Sequence, residues 1–174
     1  MPDLFNTISG SCNSELIKNL AKEFAEVDNI ELQLFSFARK HQTAAFNCIW
    51  LLKDIVCTKK VFLSASLSQK LILLIPGLLN DFSNLHLLQM SPYLSLNDSN
   101  LGIWEDFLEQ CRKSSNKFVL ANRASGFIPM ARMSPLLIPE FMAECEIALN
   151  GASASMKARV NIVIKELDKI KKGA

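Results

Sequence analysis

Apolar residues recur at helical spacing along most of the chain. Within residues 14–26, Leu16, Leu20 and Phe24 fall four residues apart, so they line one side of a helix. Residues 43–58 are apolar on most sides, which predicts a helix buried between neighbours. No stretch shows the sustained alternation of apolar and polar residues that is typical of a strand. The pattern predicts an all-α protein with nine helices, over 14–26, 29–39, 43–58, 66–80, 83–91, 100–114, 117–133, 135–150 and 154–172.

The helices also repeat at a nearly constant interval. When the chain is aligned with itself at an offset of 38 residues, residues 43–55 fall on 81–93 and again on 119–131. The preceding helices align at an offset of 37, which places Trp104 on Phe141. Each unit is a pair of helices that cannot bury both apolar faces alone, so successive pairs stack on a shared core. We predict a single domain over residues 1–174, with a capping helix over 13–27 and four helix pairs, 28–58, 66–92, 100–133 and 135–172.

The last helix pair resembles a known repeat. Residues 136–167 read LLIPEFMAECEIALNGASASMKARVNIVIKEL. A first helix has proline at its start, a short polar turn follows, and a second helix opens with Lys-Ala-Arg and closes on Val-Ile-x-x-Leu. This segment resembles a HEAT repeat, and the resemblance extends over 100–172 and, less closely, over 28–58 and 61–95. It implies a short HEAT-like α-α superhelix, with the first helix of each pair on the convex side and the second on the concave side.

Charge is distributed unequally between the two kinds of helix. The whole chain has 19 basic and 17 acidic residues and a net charge of +2, which excludes a strongly basic nucleic-acid module. The first helices, 100–114 and 135–150, carry six acidic and two basic residues. The second helices, 117–131 and 154–172, carry eight basic and two acidic residues. The sequence therefore predicts a basic concave face, which would attract an acidic protein segment or another anion.

The residues expected on the concave face define a candidate binding site. We expect a non-catalytic binding or scaffold module that holds an acidic protein segment, with no cofactor, no metal and no membrane. A structural role is the alternative for the arginines, because arginine in the second HEAT helix often bonds a neighbouring turn or carboxylate. Cations near the end of the last helix also suit the helix dipole. The candidate residues come from successive second helices and are Trp50, Lys53, Asp54, His86, Gln89, Arg123, Lys157 and Arg159.

Trp50 and Asp54 suggest an alternative function. Their spacing of four residues places an indole and a carboxylate on one face of a helix. The pair is similar to one in a HEAT-like family of alkylpurine DNA glycosylases, which implies a ring against the modified nucleotide and a carboxylate that stabilises positive charge on the sugar. The chain departs from that family where it has Gln89 in place of an arginine and Ile128 in place of a second tryptophan. The alternative is therefore a DNA-binding protein related to these enzymes, active or vestigial. A core Trp50 beside a surface Asp54 is the simpler interpretation.

Cysteine usage and the apolar runs indicate the cellular compartment of the protein. The five cysteines are odd in number and form no C-x-x-C pair, which favours free thiols in a reducing compartment. His41 and His86 have no cysteines or carboxylates at ligand spacing, so no zinc site is expected. No signal-peptide pattern is visible, and the most apolar run, 71–79, is too short to span a bilayer. We therefore expect a cytoplasmic protein.

Overall fold

The described part of the chain consists mostly of helices. The structure, a computed structural model, describes residues 2–77 and 81–173. These residues contain no β-strand, which confirms the all-α fold class. Short 3-10 turns lie at Ile75–Gly77, Ser91–Tyr93, Arg123–Gly126 and Pro135–Leu137. The α-helices are α1 (Pro2–Ile8), α2 (Ser14–Phe24), α3 (Ile30–Lys40), α4 (Gln42–Lys59), α5 (Ala65–Ile72), α6 (Asp81–Met90), α7 (Asp98–Arg112), α8 (Lys117–Asn122), α9 (Phe127–Met133), α10 (Ile138–Leu149) and α11 (Ala154–Gly173).

The helices pack on one another in chain order. In a second-helix layer, α4 packs on α6, α6 on α8 and α8 on α11. The capping helix α2 packs on α4 outside this series. In a first-helix layer, α5 packs mainly on α3 and α7 rather than on α6, its partner in the predicted pair. The layers join where α3 packs on α4, α7 on α8, and α10 on α11. This arrangement is compatible with a helical repeat.

Contacts between α4 and α6 advance in the same direction along both helices. The Phe46 and Phe82 rings meet edge to face with centroids 6.1 Å apart. Three turns further along α4, the Cys57 thiol lies 3.7 Å from the carbonyl oxygen of Gln89 on α6. The two helices therefore run in the same direction, as equivalent helices of successive repeats do. The residues that the offset of 38 aligns are buried alike in the two helices: Ala45 with Ser83, Ile49 with Leu87, and Leu52 with Met90.

The helix predicted over 117–133 is divided in two. The 3-10 turn Arg123–Gly126 separates α8 from α9. Pro129 has no N–H to donate to the carbonyl of Ser125, and proline is tolerated in the first turn of a helix, so a new helix starts two residues before it. The prediction of one continuous helix was therefore wrong, because proline changes the backbone hydrogen bonding without changing the apolar period.

Two other predicted helices are also shorter than their apolar patterns. The helix predicted over 66–80 ends at Ile72, and Pro76 lies in the 3-10 turn that follows. Residues 78–80 lie outside the described residues. The helix predicted over 135–150 begins with the 3-10 turn Pro135–Leu137 before α10 starts. In both segments proline marks the change, since it fixes φ and cannot donate a backbone hydrogen bond.

The bend between α8 and α9 contributes to the centre of the core. Trp104 of α7 is fully buried, and its Nε1 donates a hydrogen bond of 3.0 Å to the carbonyl oxygen of Gly126. The bend lies so close to α7 that a Cβ on Gly126 would stand 2.3 Å from Leu108 Cδ2. Leu108 is itself buried, so it has little room to move aside. A glycine at position 126 therefore lets the two layers approach closely.

A short helix that the apolar pattern did not predict precedes the capping helix. Leu4 and Ile8 of α1 are buried in the common core. The Asn47 side chain, on α4, donates hydrogen bonds of 2.9 Å to the carbonyl oxygens of both Ile8 and Gly10. Because α1 has only 7 residues, it is too short to be stable alone, and these tertiary contacts hold it in place.

Replacing Asn47 with alanine is expected to loosen α1. The change removes both hydrogen bonds and leaves the buried Ile8 carbonyl without that donor, at a cost of about 1–3 kcal/mol in the free energy of unfolding. Urea denaturation measures this cost, and limited proteolysis should show earlier cleavage before α2. The exposed Asn19 on α2 gives the matched control, since Asn19→Ala should change neither measurement. Equal proteolysis of both variants would contradict the tethering role of Asn47.

The cysteines lie as separate thiols. None of the five is in a disulfide, and Cys48, Cys111 and Cys145 are buried. Burial raises the pKa of Cys48 and of Cys111 to about 12. These thiols therefore act as small apolar side chains of the core. Across residues 2–77 and 81–173, no helix has the length and apolar character needed to cross a membrane.

Candidate binding site

Four aromatic rings form a cluster on the surface of α4 and α6. This aromatic cluster consists of Phe46 and Trp50 from α4 and Phe82 and His86 from α6. Trp50 stacks on His86 with centroids 5.2 Å apart and planes inclined by 16°. Phe46 lies between the other rings, 5.7 Å from both Trp50 and His86. Phe82 is 63% exposed, so the cluster opens to solvent at its edge.

The local sequence explains how the cluster forms. Phe46 precedes Trp50 by four residues, and Phe82 precedes His86 by four, so each helix presents two rings on one face. Because α4 and α6 run in the same direction, the two pairs meet across the helix interface. Trp50 and His86 are among the predicted site residues, whereas the two phenylalanines are not. The repeated spacing of four, at a separation of 36 residues, is the signal that could have identified them.

His86 is the most enclosed member of the cluster. It is 8% exposed, and its Nδ1 has no hydrogen-bond partner within the described structure. Burial, reinforced by the nearby Lys53, lowers its pKa to about 4, against the opposing effects of Gln89 and Asp54. The imidazole is therefore neutral at pH 7. It serves as a flat stacking surface for Trp50 rather than as a cation.

Lys53 and Asp54 form an ion pair beside the rings. Lys53 Nζ lies 2.6 Å from Asp54 Oδ1, and the two side chains are 14% and 19% exposed. The pair is thus mostly buried and electrically neutral as a unit. Trp50 and Asp54 share one face of α4, as their spacing predicted, but the carboxylate is engaged by its neighbour. Gln89 lies one turn after His86 on α6, so five of the eight predicted site residues come together here.

A second aromatic contact lies at the other end of α4 and α6. The Phe62 and Tyr93 rings meet edge to face with centroids 6.1 Å apart. Arg132 of α9 lies over the Phe62 ring at 4.7 Å and donates to the carbonyl oxygen of Pro92. It also contacts Glu166 of α11 at 3.3 Å. This contact links the segment after α4, the 3-10 turn Ser91–Tyr93, α9 and α11. The sequence did not predict it because its residues belong to these four separate segments.

Arg123 belongs to a different part of the molecule. Its Nε donates to the carbonyl oxygen of Leu108 at 3.2 Å, and its Nη1 lies 3.1 Å from Glu144 Oε2. The guanidinium also stands over the Phe127 ring, 5.2 Å from the centroid. These partners are on α7, α9 and α10, so Arg123 ties the two layers together beside a cavity of ≈ 340 Å³. Arg123 thus has the structural role given as the alternative for the arginines, a bond to a neighbouring carboxylate.

Lys157 and Arg159 lie on the first turns of α11 and are exposed. Neither has an ion-pair partner in the part of the chain that the structure describes. The buried side of α11 is formed by Val160, Val163 and Leu167. The two cations therefore remain available to a charged ligand, unlike Arg123.

Comparison with known proteins adds no further assignment. No protein-family model, no curated protein and no solved structure matches this chain. At the position where the DNA glycosylases have their second tryptophan, Ile128 is 2% exposed and packs in the core.

Proposed function

We propose that this chain is a non-catalytic binding module that uses its second-helix layer to hold an acidic segment of a partner protein. The observation that carries the proposal is the set of exposed, unpaired cations on α11, in the same layer as the aromatic cluster. Cations attract an acidic segment before contact, and aromatic side chains anchor it once it has docked.

The charge of α11 supports an acidic ligand. The helix has six basic and two acidic residues. Lys169 is paired with Glu166, which also contacts Arg132. The remaining cations are exposed and have no ion pair among the residues described: Lys157, Arg159, Lys165, Lys171 and Lys172.

The aromatic cluster supports an apolar anchor for the same segment. Trp50 and Phe46 are half-buried and Phe82 is exposed, so a ligand side chain has ring surface to cover. Tryptophan is enriched among the residues that dominate binding energy at interfaces. The neighbouring Lys53–Asp54 pair adds polar contacts without adding net charge.

Two finer features belong to this proposal. We infer that the two helical layers curve into a HEAT-like superhelix, with α4, α6, α8 and α11 on its concave side. The parallel course of α4 and α6 supports this inference. We also propose a cytoplasmic location, because the cysteines are separate thiols, three of them packed in the core.

Charge reversal on α11 tests the proposal. The probe is a fluorescein-labelled peptide in which glutamate alternates with leucine. Its binding is measured by fluorescence anisotropy at low salt. Lys157→Glu with Arg159→Glu is expected to weaken binding by about tenfold, and Trp50→Ala by about thirtyfold. Arg123 is left unchanged, because its replacement would also break its contacts with Leu108 and Glu144.

The control variant reverses two exposed cations of α2, Lys18→Glu with Lys22→Glu, and should leave the affinity within about twofold of the original. Equal loss in both double variants would show that only net charge matters and would overturn the proposed surface. Undiminished binding after the α11 changes would overturn it as well.

DNA binding is the second candidate, and the partly exposed Trp50 beside Asp54 is the observation that favours it. The cations of α11 would then neutralise phosphates, and the affinity for a DNA duplex would fall steeply with salt concentration. The same variants are then tested for binding to a labelled DNA duplex that contains an alkylated purine. Tight, salt-dependent binding of the duplex, with release of the modified base or without it, would favour this candidate over the acidic segment.

A further inference from the structure

Three cations converge on one cavity of the first-helix layer. The cavity lies where α3 packs on α5 and has a volume of ≈ 380 Å³. No residue of its lining is acidic. The lining residues are Leu32, Phe35, Ser36, Arg39, Lys40 and Lys70.

The three cations are free of ion pairs. Within residues 2–77 and 81–173, none of Arg39, Lys40 and Lys70 lies within ion-pair distance of a carboxylate. Elsewhere in the same layer, by contrast, Arg112 and Lys113 both pair with Glu109. Like charges around one cavity repel one another, and a bound anion removes that repulsion. The charge pattern of this cavity is therefore complementary to an anion.

We propose that this α3–α5 cavity binds the phosphate group of a small phosphate monoester. A phosphate monoester carries about −1.5 to −2 charges at neutral pH, so it balances three cations better than a single carboxylate does. The Arg39 guanidinium supplies paired donors for two phosphate oxygens, and the Ser36 hydroxyl supplies another donor. The lysine ammonium groups add positive charge and require no fixed hydrogen-bond geometry.

The walls of the cavity suit the organic part of such a ligand. Leu32 is 38% exposed and provides an apolar surface next to the charged end. A cavity of ≈ 380 Å³ is also within the size range of small-molecule sites. This inference does not rest on the proposed function, because α3 and α5 lie in the first-helix layer and the acidic-segment surface does not include them.

An NMR titration tests the proposal with inorganic phosphate, phenyl phosphate and benzoate as probes. We expect phenyl phosphate to shift backbone amide signals of α3 and α5 saturably, with a Kd of about 1 mM or below at low salt. Inorganic phosphate should bind at the same residues more weakly, since it lacks a group to cover Leu32. Benzoate should bind at least about tenfold more weakly than phenyl phosphate, because it carries one charge.

Two charge-matched variants decide whether the cavity or the overall charge is responsible. Arg39→Gln, Lys40→Gln and Lys70→Gln together should abolish saturable binding, and these side chains are exposed, so the variant should fold. The control combines Lys18→Gln, Lys22→Gln and Lys117→Gln, which removes the same charge from α2 and α8 and should bind as before. No saturable shift in the original protein, shifts spread over all exposed cations, or equal loss in the control would each overturn the proposal. If a variant fails to fold, the residues whose signals shift in the original protein still show where the ligand binds.

Discussion

Trp104→Ala is expected to lower the free energy of unfolding by about 3–5 kcal/mol, the largest effect of any single change considered. Trp104 is fully buried, packs on Phe107 at a centroid distance of 5.1 Å, and donates its indole N–H to Gly126. Alanine would leave a cavity and remove the donor for the Gly126 carbonyl. Because a domain is stable by about 5–15 kcal/mol in total, the loss is a large fraction of the whole.

Urea denaturation measures the effect, and two variants separate its causes. Trp104→Phe keeps much of the buried ring but removes the hydrogen bond, so it should cost about 1–3 kcal/mol. Trp50→Ala removes the chain's other tryptophan from a partly buried site and should cost clearly less than Trp104→Ala. A smaller loss for Trp104→Ala than for Trp50→Ala would contradict the placement of Trp104 at the centre of the core.

Acid is expected to destabilise the protein through His86. The pKa of His86 is lowered to about 4 in the folded state, mainly by burial and then by Lys53, against an ordinary value of 6.5. Between these values the unfolded chain binds a proton that the folded chain does not. The contribution of the neutral imidazole to stability is therefore complete above pH 6.5 and is lost as the pH falls toward 4. The full loss is up to about 3 kcal/mol.

Unfolding by urea at about pH 7.5 and about pH 4.5 measures this dependence. His86→Gln should remove most of the difference between the two pH values, whatever its effect on stability at neutral pH. The exposed His41 gives the matched control, since His41→Gln leaves the surroundings of His86 intact. If His86→Gln retains the same pH-dependent loss as the original protein, another group is responsible and the prediction fails.

The helices that could be predicted are those whose period is uninterrupted. The apolar stripes over 14–26, 43–58 and 154–172 predicted α2, α4 and α11 within two residues at either end. Where proline interrupts the backbone, as in 117–133, the apolar period continues although the hydrogen bonding does not. The side-chain pattern therefore predicted a helix through a bend that the backbone requires.

The part of the candidate site on α4 and α6 could be predicted from the repeat. The interval of 38 made α4 and α6 equivalent second helices, and the resemblance to HEAT repeats implied that such helices share one face. The residues expected there are Trp50, Lys53, Asp54, His86 and Gln89. The direction of Arg123 depends on a 3-10 turn and on Glu144 of α10, which is 21 residues away. Contacts of this kind come from the tertiary arrangement, and no local pattern contains them.

Because α4 and α6 are parallel and in contact, the distance between them determines how often a chain that crosses them contacts a helix. Packed helices lie about 8–10 Å apart. A segment in the polyproline II conformation advances about 3.1 Å per residue with three residues per turn, so every third side chain lies on the same side, about 9 Å from the last. Such a segment laid across the helix axes would therefore meet a new helix about every third residue. A ligand bound in this way would have its contacting side chains at every third position. This pattern can be recognised in the ligand's sequence before any complex is made.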